Sequence, residues 1–330
     1  MLSHALSLAF LLCAAQFGLA EEANTNNITF VDSGDGAVEV LHRDKLFTRY
    51  VYADTPKPIL YPIIGPHGIS LTRNYPMKKG VTGEATDHVH HRSLWFAHGD
   101  VNGVDFWLEG PRMGKIVHDR FGPFESGSPG KMTTFSNWVA PSGDIVCRES
   151  RVMLFDVADD RRTIELRITL HAAEGPITFG DTKEGTMAMR THPKLRLTAD
   201  PERGGFDRVF GQAVNSEGVR GMEVWGKRAR WVDYSADIDD RSVGIAVFDH
   251  PTNPRHPTWW MARDYGLVGA NPFGSHEMAG RPRGEGRMEV IEGNQIDFRY
   301  LFVFHSGDAE EAGVARLYDR WSEELSEQDQ

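Results

Sequence analysis

Cysteine is nearly absent: the 330 residues contain two, Cys13 and Cys147. A disulfide framework is therefore excluded, and stability has to come from a buried core, which a chain of this length can supply. The common phosphate-binding and nucleophile motifs are missing too. No P-loop, Gly-x-Gly-x-x-Gly fingerprint, Gly-x-Ser-x-Gly elbow or His-Glu-x-x-His pair occurs. Nucleotide, dinucleotide, serine-hydrolase and zincin chemistry thus have no motif support. Basic residues are in the minority, 36 Lys+Arg against 47 Asp+Glu, for a net charge of −11. That balance argues against a general nucleic-acid binder and against a protein that docks on an anionic membrane surface. After the first twenty residues no apolar run approaches the length of a membrane span.

What is there begins with an apolar N-terminus. Leu6 to Ala15 is followed by Gly18-Leu19-Ala20, with small residues at the −3 and −1 positions. This predicts a secretory signal over residues 1–20 and a single domain over 21–330, working in the periplasm or outside the cell. Cys13 would leave with the signal, and Cys147 reads as a buried structural thiol on a strand.

The remainder reads as short strands. Residues 162–170 alternate polar and apolar, and follow 150–155 across Asp159-Asp160-Arg161, which predicts a hairpin. A second hairpin is expected from 287–291 and 296–304 around Glu292-Gly293-Asn294. A third strand, Val243 to Phe248, follows a turn at Asp239-Asp240. Val101-Asn102-Gly103-Val104 carries the Asn-Gly pair of a tight turn. Only the last twenty residues have a helical period: Val314, Leu317, Tyr318, Trp321 and Leu325, with Asp308 as a cap. The fold expected is all-β, one large antiparallel β-sandwich with a C-terminal helix. A split into two sandwiches near residues 173–185 is the alternative.

Ionisable and aromatic residues crowd three stretches. Four of the fourteen histidines lie in Asp87-His88-Val89-His90-His91-Arg92-Ser93-Leu94-Trp95-Phe96-Ala97-His98. If this is extended, His88 and His90 share a face, as two metal ligands or as acid/base groups beside Arg92. Hydrogen-bonded histidines at a strand end are the plainer alternative. The second stretch, Gly180-Asp181-Thr182-Lys183-Glu184-Gly185, can bring Glu184 into a cleft as a base, and can equally be a solvated turn. The third runs from Asp249-His250-Pro251 through Arg255-His256-Pro257-Thr258-Trp259-Trp260-Met261-Ala262-Arg263 to Asn271-Pro272-Phe273-Gly274. Its prolines stiffen a loop that can present polar groups, and its tryptophans suit a sugar ring or the core. Residues 225–234 read as a strand that adds one further cation, Lys227, to a possible site.

Taken together, these stretches resemble a bacterial family of unknown function often labelled PmoA-like. The resemblance rests on Asp87 to Ser93 with Trp95, Gly180 to Gly185, Trp225-Gly226-Lys227, Trp231-Val232-Asp233-Tyr234, and Asp249-His250-Pro251 through Gly274. It covers roughly residues 61–304. One departure is Met261, where the pattern has His. The methane-oxygenase sense of the label implies a membrane protein, for which this chain has no span after its signal. The resemblance implies instead a supersandwich like that of galactose mutarotases and a setting in carbohydrate breakdown. By residue type it gives His90 or His91 as acid and Glu184 as base.

The function expected is a carbohydrate-active enzyme, hydrolase, lyase or epimerase, using His90, His91 and Glu184. Its substrate contacts would come from His88, Arg92, Trp95, Asp181, Lys183, Lys227, His256, Trp259, Arg263 and Asn271, with no cofactor and no metal. Two other classes compete: a non-catalytic carbohydrate-binding protein, and a metalloenzyme ligated by His88 and His90.

Overall fold

The computed structural model describes residues 27–323. The signal reading and Cys13 lie outside the described residues. In chain order the strands are β1 (Ile28–Asp32), β2 (Ala37–His42), β3 (Lys45–Val51), β4 (Ile59–Ile63), β5 (Leu94–Phe96), β6 (Lys115–Glu125), β7 (Gly130–Val139), β8 (Ile145–Val157) and β9 (Arg161–His171). There follow β10 (Ile177–Phe179), β11 (Met187–Arg190), β12 (Gln212–Asn215), β13 (Trp231–Ile238), β14 (Arg241–Asp249), β15 (Trp259–Trp260) and β16 (Leu267–Asn271). The short helix α1 (Ser275–Ala279), β17 (Met288–Val290), β18 (Gln295–Ser306) and the helix α2 (Val314–Glu323) complete the described chain.

Two eight-stranded antiparallel sheets face each other. The first has the order β1-β2-β3-β4-β5-β11-β16-β15, the second β12-β13-β14-β18-β9-β8-β7-β6. Period-two patterning makes this packing possible. Along β7 every second residue is buried, with Met132, Thr134, Ser136 and Trp138 inside. On β18, Phe298, Tyr300, Phe302 and Phe304 join the core between the sheets, while Leu301 and Val303 face outward. The outer side of the second sheet is then covered by α2, whose Val314, Tyr318 and Trp321 pack on Phe248, Leu301 and Val303.

The expected β8–β9 hairpin forms, with Arg151 opposite Ile168. The β13–β14 hairpin turns at Asp239 and Asp240, both at positive φ. Val101 and Val104 bridge across Asn102 (φ 53°) and Gly103 (φ 79°), as the Asn-Gly pair requires.

Three expectations are corrected. β17 and β18 do not pair with each other. β17 joins β10 in a separate two-stranded sheet, and β18 lies between β9 and β14. Local alternation cannot show this, because the Ala172 amide takes the Asn294 carbonyl and docks the turn on the end of β9. Of the stretch 225–234, only Trp231 onward is strand. The third correction concerns residues 87–91, which are not extended. His88 has φ 44°, and its carbonyl accepts from the His91 amide at 3.0 Å in a turn.

A buried ion pair sits under the segment leading to α2. His305 Nε2 lies 2.6 Å from Asp233 Oδ2, both side chains being almost fully buried. Gly244, opposite His305 on β14, leaves the space that the imidazole fills; a Cβ there would collide with the ring. Burial alone would lower the His305 pKa, but Asp233 and the Ser306 and Gly307 carbonyls outweigh it and raise it. A raised pKa stabilises the fold fully below the unfolded-state value, and that contribution fades as pH rises through the folded value. His305→Gln should therefore lose about 3–5 kcal/mol, the range for breaking a buried pair. The gap from wild type should be widest below 6.5, the ordinary value, and shrink as pH rises through the raised His305 value. Urea unfolding across that range checks this; a gap that widens with pH would contradict it.

Candidate functional site

The central strands of the first sheet aim one face at the core and the other at the candidate site. Phe96 points inward, its ring 5.2 Å from Phe298 and 6.0 Å from Trp138. Its neighbour Trp95 must point the other way. The register sets Trp95 opposite Ala188, and Ala188 opposite Gly269, so that Arg190, two residues on, shares the Trp95 face. Residues 87–92 fold back over that face.

The turn is held by charge. Asp87 is bonded by the Arg73 guanidinium, by Arg190 Nη2 at 3.0 Å and by His88 Nδ1 at 2.9 Å. Arg73, 2 % exposed, also donates to the carbonyls of Tyr75, Ala85, His88 and His91. Its own amide donates to the Arg190 carbonyl, so Arg73 ties both ends of the histidine turn to the end of the central strand β11. Burial would raise the Asp87 carboxyl, but His88, Arg190 and Arg73 overcome this and hold it far below the usual carboxylate range.

Three imidazoles pack on this frame. His91 stacks between His88, at 4.7 Å, and Trp95, at 5.5 Å, and meets His90 edge-on at 4.4 Å. Arg190 Nη1 donates to His91 Nδ1 at 3.2 Å; a guanidinium can only donate, so the His91 proton sits on Nε2. Burial and the neighbouring cations push His91 well below its ordinary value. Burial, then Lys57 and His88, bring half-buried His90 down to about 4. Both imidazoles are neutral at pH 7. Glu184 moves the opposite way: burial raises its carboxyl pKa against the pull of Lys183 and Arg263. The imidazoles and the carboxyl are thus shifted in opposite directions, both chiefly by burial.

Tyr265 links the two groups. Its ring stacks 5.0 Å from His88 and lies under the Arg190 guanidinium at 4.6 Å, and its phenol is within electrostatic reach of Glu184, Arg263 and Asp87. Arg263 lies flat on Trp225, 3.6 Å from the ring centroid. The partly exposed groups are His88, His90, Glu184, Tyr265, Arg263 and Trp225, with His91, Arg190 and Trp95 buried beneath them.

The structure brings His88, His90, His91, Glu184 and Arg263 into this one region, and assigns other partners to several expected contacts. Arg92 is held by both oxygens of Glu109, at 2.8 and 2.9 Å. Trp95 is fully buried below His91. Asp181 accepts from the amides of His276, Gly284 and Gly286 and so fixes that loop. Asn271 donates to the Thr182 carbonyl and seats the turn that carries Glu184. Lys183 bonds Glu277 at 2.7 Å and approaches Glu184 at 3.6 Å. Trp259, on the edge strand β15, lies beneath Arg228, and Lys227 is exposed.

His256 stands apart from this region. Its Nδ1 is 2.8 Å from Asp249 Oδ2 and its Nε2 is 3.5 Å from the Tyr318 hydroxyl, so it joins α2 to the second sheet. Met261 is buried and presents no polar group. Among the described residues no group of three or more His, Cys, Asp or Glu side chains has the arrangement of a metal site. A cavity of about 280 Å³ lies elsewhere, walled by Gln212, Asn215, Trp231 and Asp308.

Arg73, Tyr265, Lys57 and Glu109 were not foreseen as site residues. Arg73 and Lys57 lie in stretches with no ionisable cluster. Tyr265 lies two residues after Arg263, but nothing in that spacing shows that it stacks on His88.

The chain belongs to the family of unknown function DUF6807, which it matches over residues 37–319. No curated protein matches it. Among solved structures it is similar to a glycoside hydrolase family 97 enzyme from Pseudoalteromonas sp. strain K8, at 10% identity and TM-score 0.34, over 84% of this chain and 34% of that one. It is also similar to an α-galactosidase from Lactobacillus brevis, at 9% and 0.32, over 86% and 39%. A galactose mutarotase related enzyme from Lactobacillus acidophilus is 7% identical at 0.28, over 84% and 97%. The chain thus spans little more than a third of either hydrolase. Overlaps this low carry no chemistry, which has to come from the side chains.

Removing the Asp87 charge would leave two buried guanidiniums unpaired. Asp87→Asn is expected to lower unfolding free energy by about 3–5 kcal/mol in urea melts. A loss under about 1 kcal/mol, typical of an exposed pair, would contradict the central place given to Asp87.

Proposed function

We propose that this protein is a carbohydrate-active enzyme that transfers protons on a sugar, with Glu184 as general acid and His90 as general base. One observation carries the reading. Tyr265 stacks on His88, which meets the His90 ring at 5.8 Å, and its phenol feels the charge of Glu184, so that an imidazole with a lowered pKa and a carboxyl with a raised one flank the same tyrosine. Displacement in these directions favours a neutral imidazole that can accept a proton and a carboxyl that holds its proton to higher pH than usual. His91 is bonded to Arg190 and buried; it positions His90 rather than meeting substrate. The sugar part of the proposal comes from the family resemblance in the sequence, the proton-transfer part from the geometry.

The active form has His90 neutral, which holds above about 4, and Glu184 protonated, which holds below its raised pKa. On any sugar or glycoside turned over in a product screen, kcat/KM should rise as pH passes about 4 and fall as pH rises through the raised Glu184 value. Glu184→Gln and His90→Ala should each lower turnover by about 10²–10⁴-fold. Full turnover in both variants would overturn the mechanism. Calorimetric binding of glycans without product would favour the non-catalytic carbohydrate-binding protein.

A further inference from the structure

The cations of the site are accounted for one by one. Arg73 and Arg190 share Asp87. Arg92 and Lys57 share Glu109, Lys57 Nζ lying 3.7 Å away and donating to the Trp107 carbonyl. Lys183 has Glu277 and Glu184. Arg263 is the exception. Among the described residues no carboxylate lies within ion-pair distance of it, and its buried Nε has no hydrogen-bond acceptor. Its own backbone is fixed, the amide donating to the Leu267 carbonyl and the carbonyl accepting from the Gly266 amide and the Tyr234 hydroxyl. The side chain is half-buried on Trp225, in a protein whose net charge is −11.

A half-buried guanidinium without a counter-charge is unfavourable unless something supplies one. Stacking occupies its flat face and leaves the in-plane N–H edge, the edge that binds a carboxylate through two parallel hydrogen bonds. Resting on the proton-transfer reading above, we infer that the substrate is an acidic sugar of the uronate class, its carboxylate held by Arg263 beside Glu184 and Tyr265.

A competing occupant is Glu184 itself, turned to pair with Arg263. Its ties to Lys183 and its raised pKa, which disfavours the carboxylate form, speak against that arrangement. Tyr265 and Trp225 are both partly exposed beside the charge.

The test is calorimetry on the full chain with D-glucuronate, D-galacturonate, their neutral methyl esters, D-glucose and D-glucose 6-sulfate. At least one uronate should bind about tenfold or more tighter than its ester and than glucose, and weaken with salt. Arg263→Met, which keeps an aliphatic stem on Trp225, should abolish that preference, and Arg263→Lys should restore part of it. The inference is overturned if uronate and ester bind equally, if Arg263→Met keeps the preference, or if the sulfate binds tightest. Glu184-dependent turnover of a neutral sugar that neither uronate inhibits would overturn this inference alone. If no sugar of the panel binds or is turned over, the proton-transfer reading falls with it.

Discussion

One carboxylate holds the candidate site in place. Asp87 neutralises Arg73 and Arg190, two guanidiniums each about 2 % exposed, and also anchors His88. Without it, two buried like charges would face each other across the sheet end. With it, Arg73 is free to gather four backbone carbonyls, and the 87–91 turn becomes a fixed platform for three imidazoles. The same arrangement sets the chemistry. Burial, helped by the neighbouring cations, lowers His90 and His91 and keeps both neutral, while burial raises the Glu184 carboxyl against the pull of Lys183 and Arg263.

Much of the architecture was legible in local pattern. The alternation along residues 162–170 and the Asp-Asp turn before Val243 gave β9 and the start of β14, because hairpin strands meet their partners through the nearest turn. β17 was misread for the same reason turned around. Its partner β10 lies more than a hundred residues earlier, and nothing within residues 287–304 records that pairing. The helix expected in the last twenty residues is present as α2 and begins only at Val314; Asp308 caps the turns before it by accepting from the Glu310 and Glu311 amides.

The site was legible as composition and not as geometry. His88, His90 and His91 pack together as their crowding implied, but a strand reading of residues 87–91 put His88 and His90 on one face and His91 on the other. The positive φ of His88 removes that division and lets all three rings touch. Arg92, Asp181 and Asn271 have the residue types of sugar contacts, yet each is spent on holding loops. Only the partners Glu109, the His276, Gly284 and Gly286 amides, and the Thr182 carbonyl show this. His256 belongs to the seat of α2, since Asp249, seven residues before it, sits on the second sheet. Sequence shows which groups are available. Burial and pairing decide which of them remain free to act.

The most direct measurement is the titration of Glu184 and His90 by NMR, on the full chain with ¹³C-labelled glutamate and histidine, assigned with the Glu184→Gln and His90→Ala variants. The account predicts a His90 midpoint near 4 and a Glu184 midpoint above its ordinary value of 4.5. A His90 midpoint at or above 6.5, together with a Glu184 midpoint at or below 4.5, would contradict it.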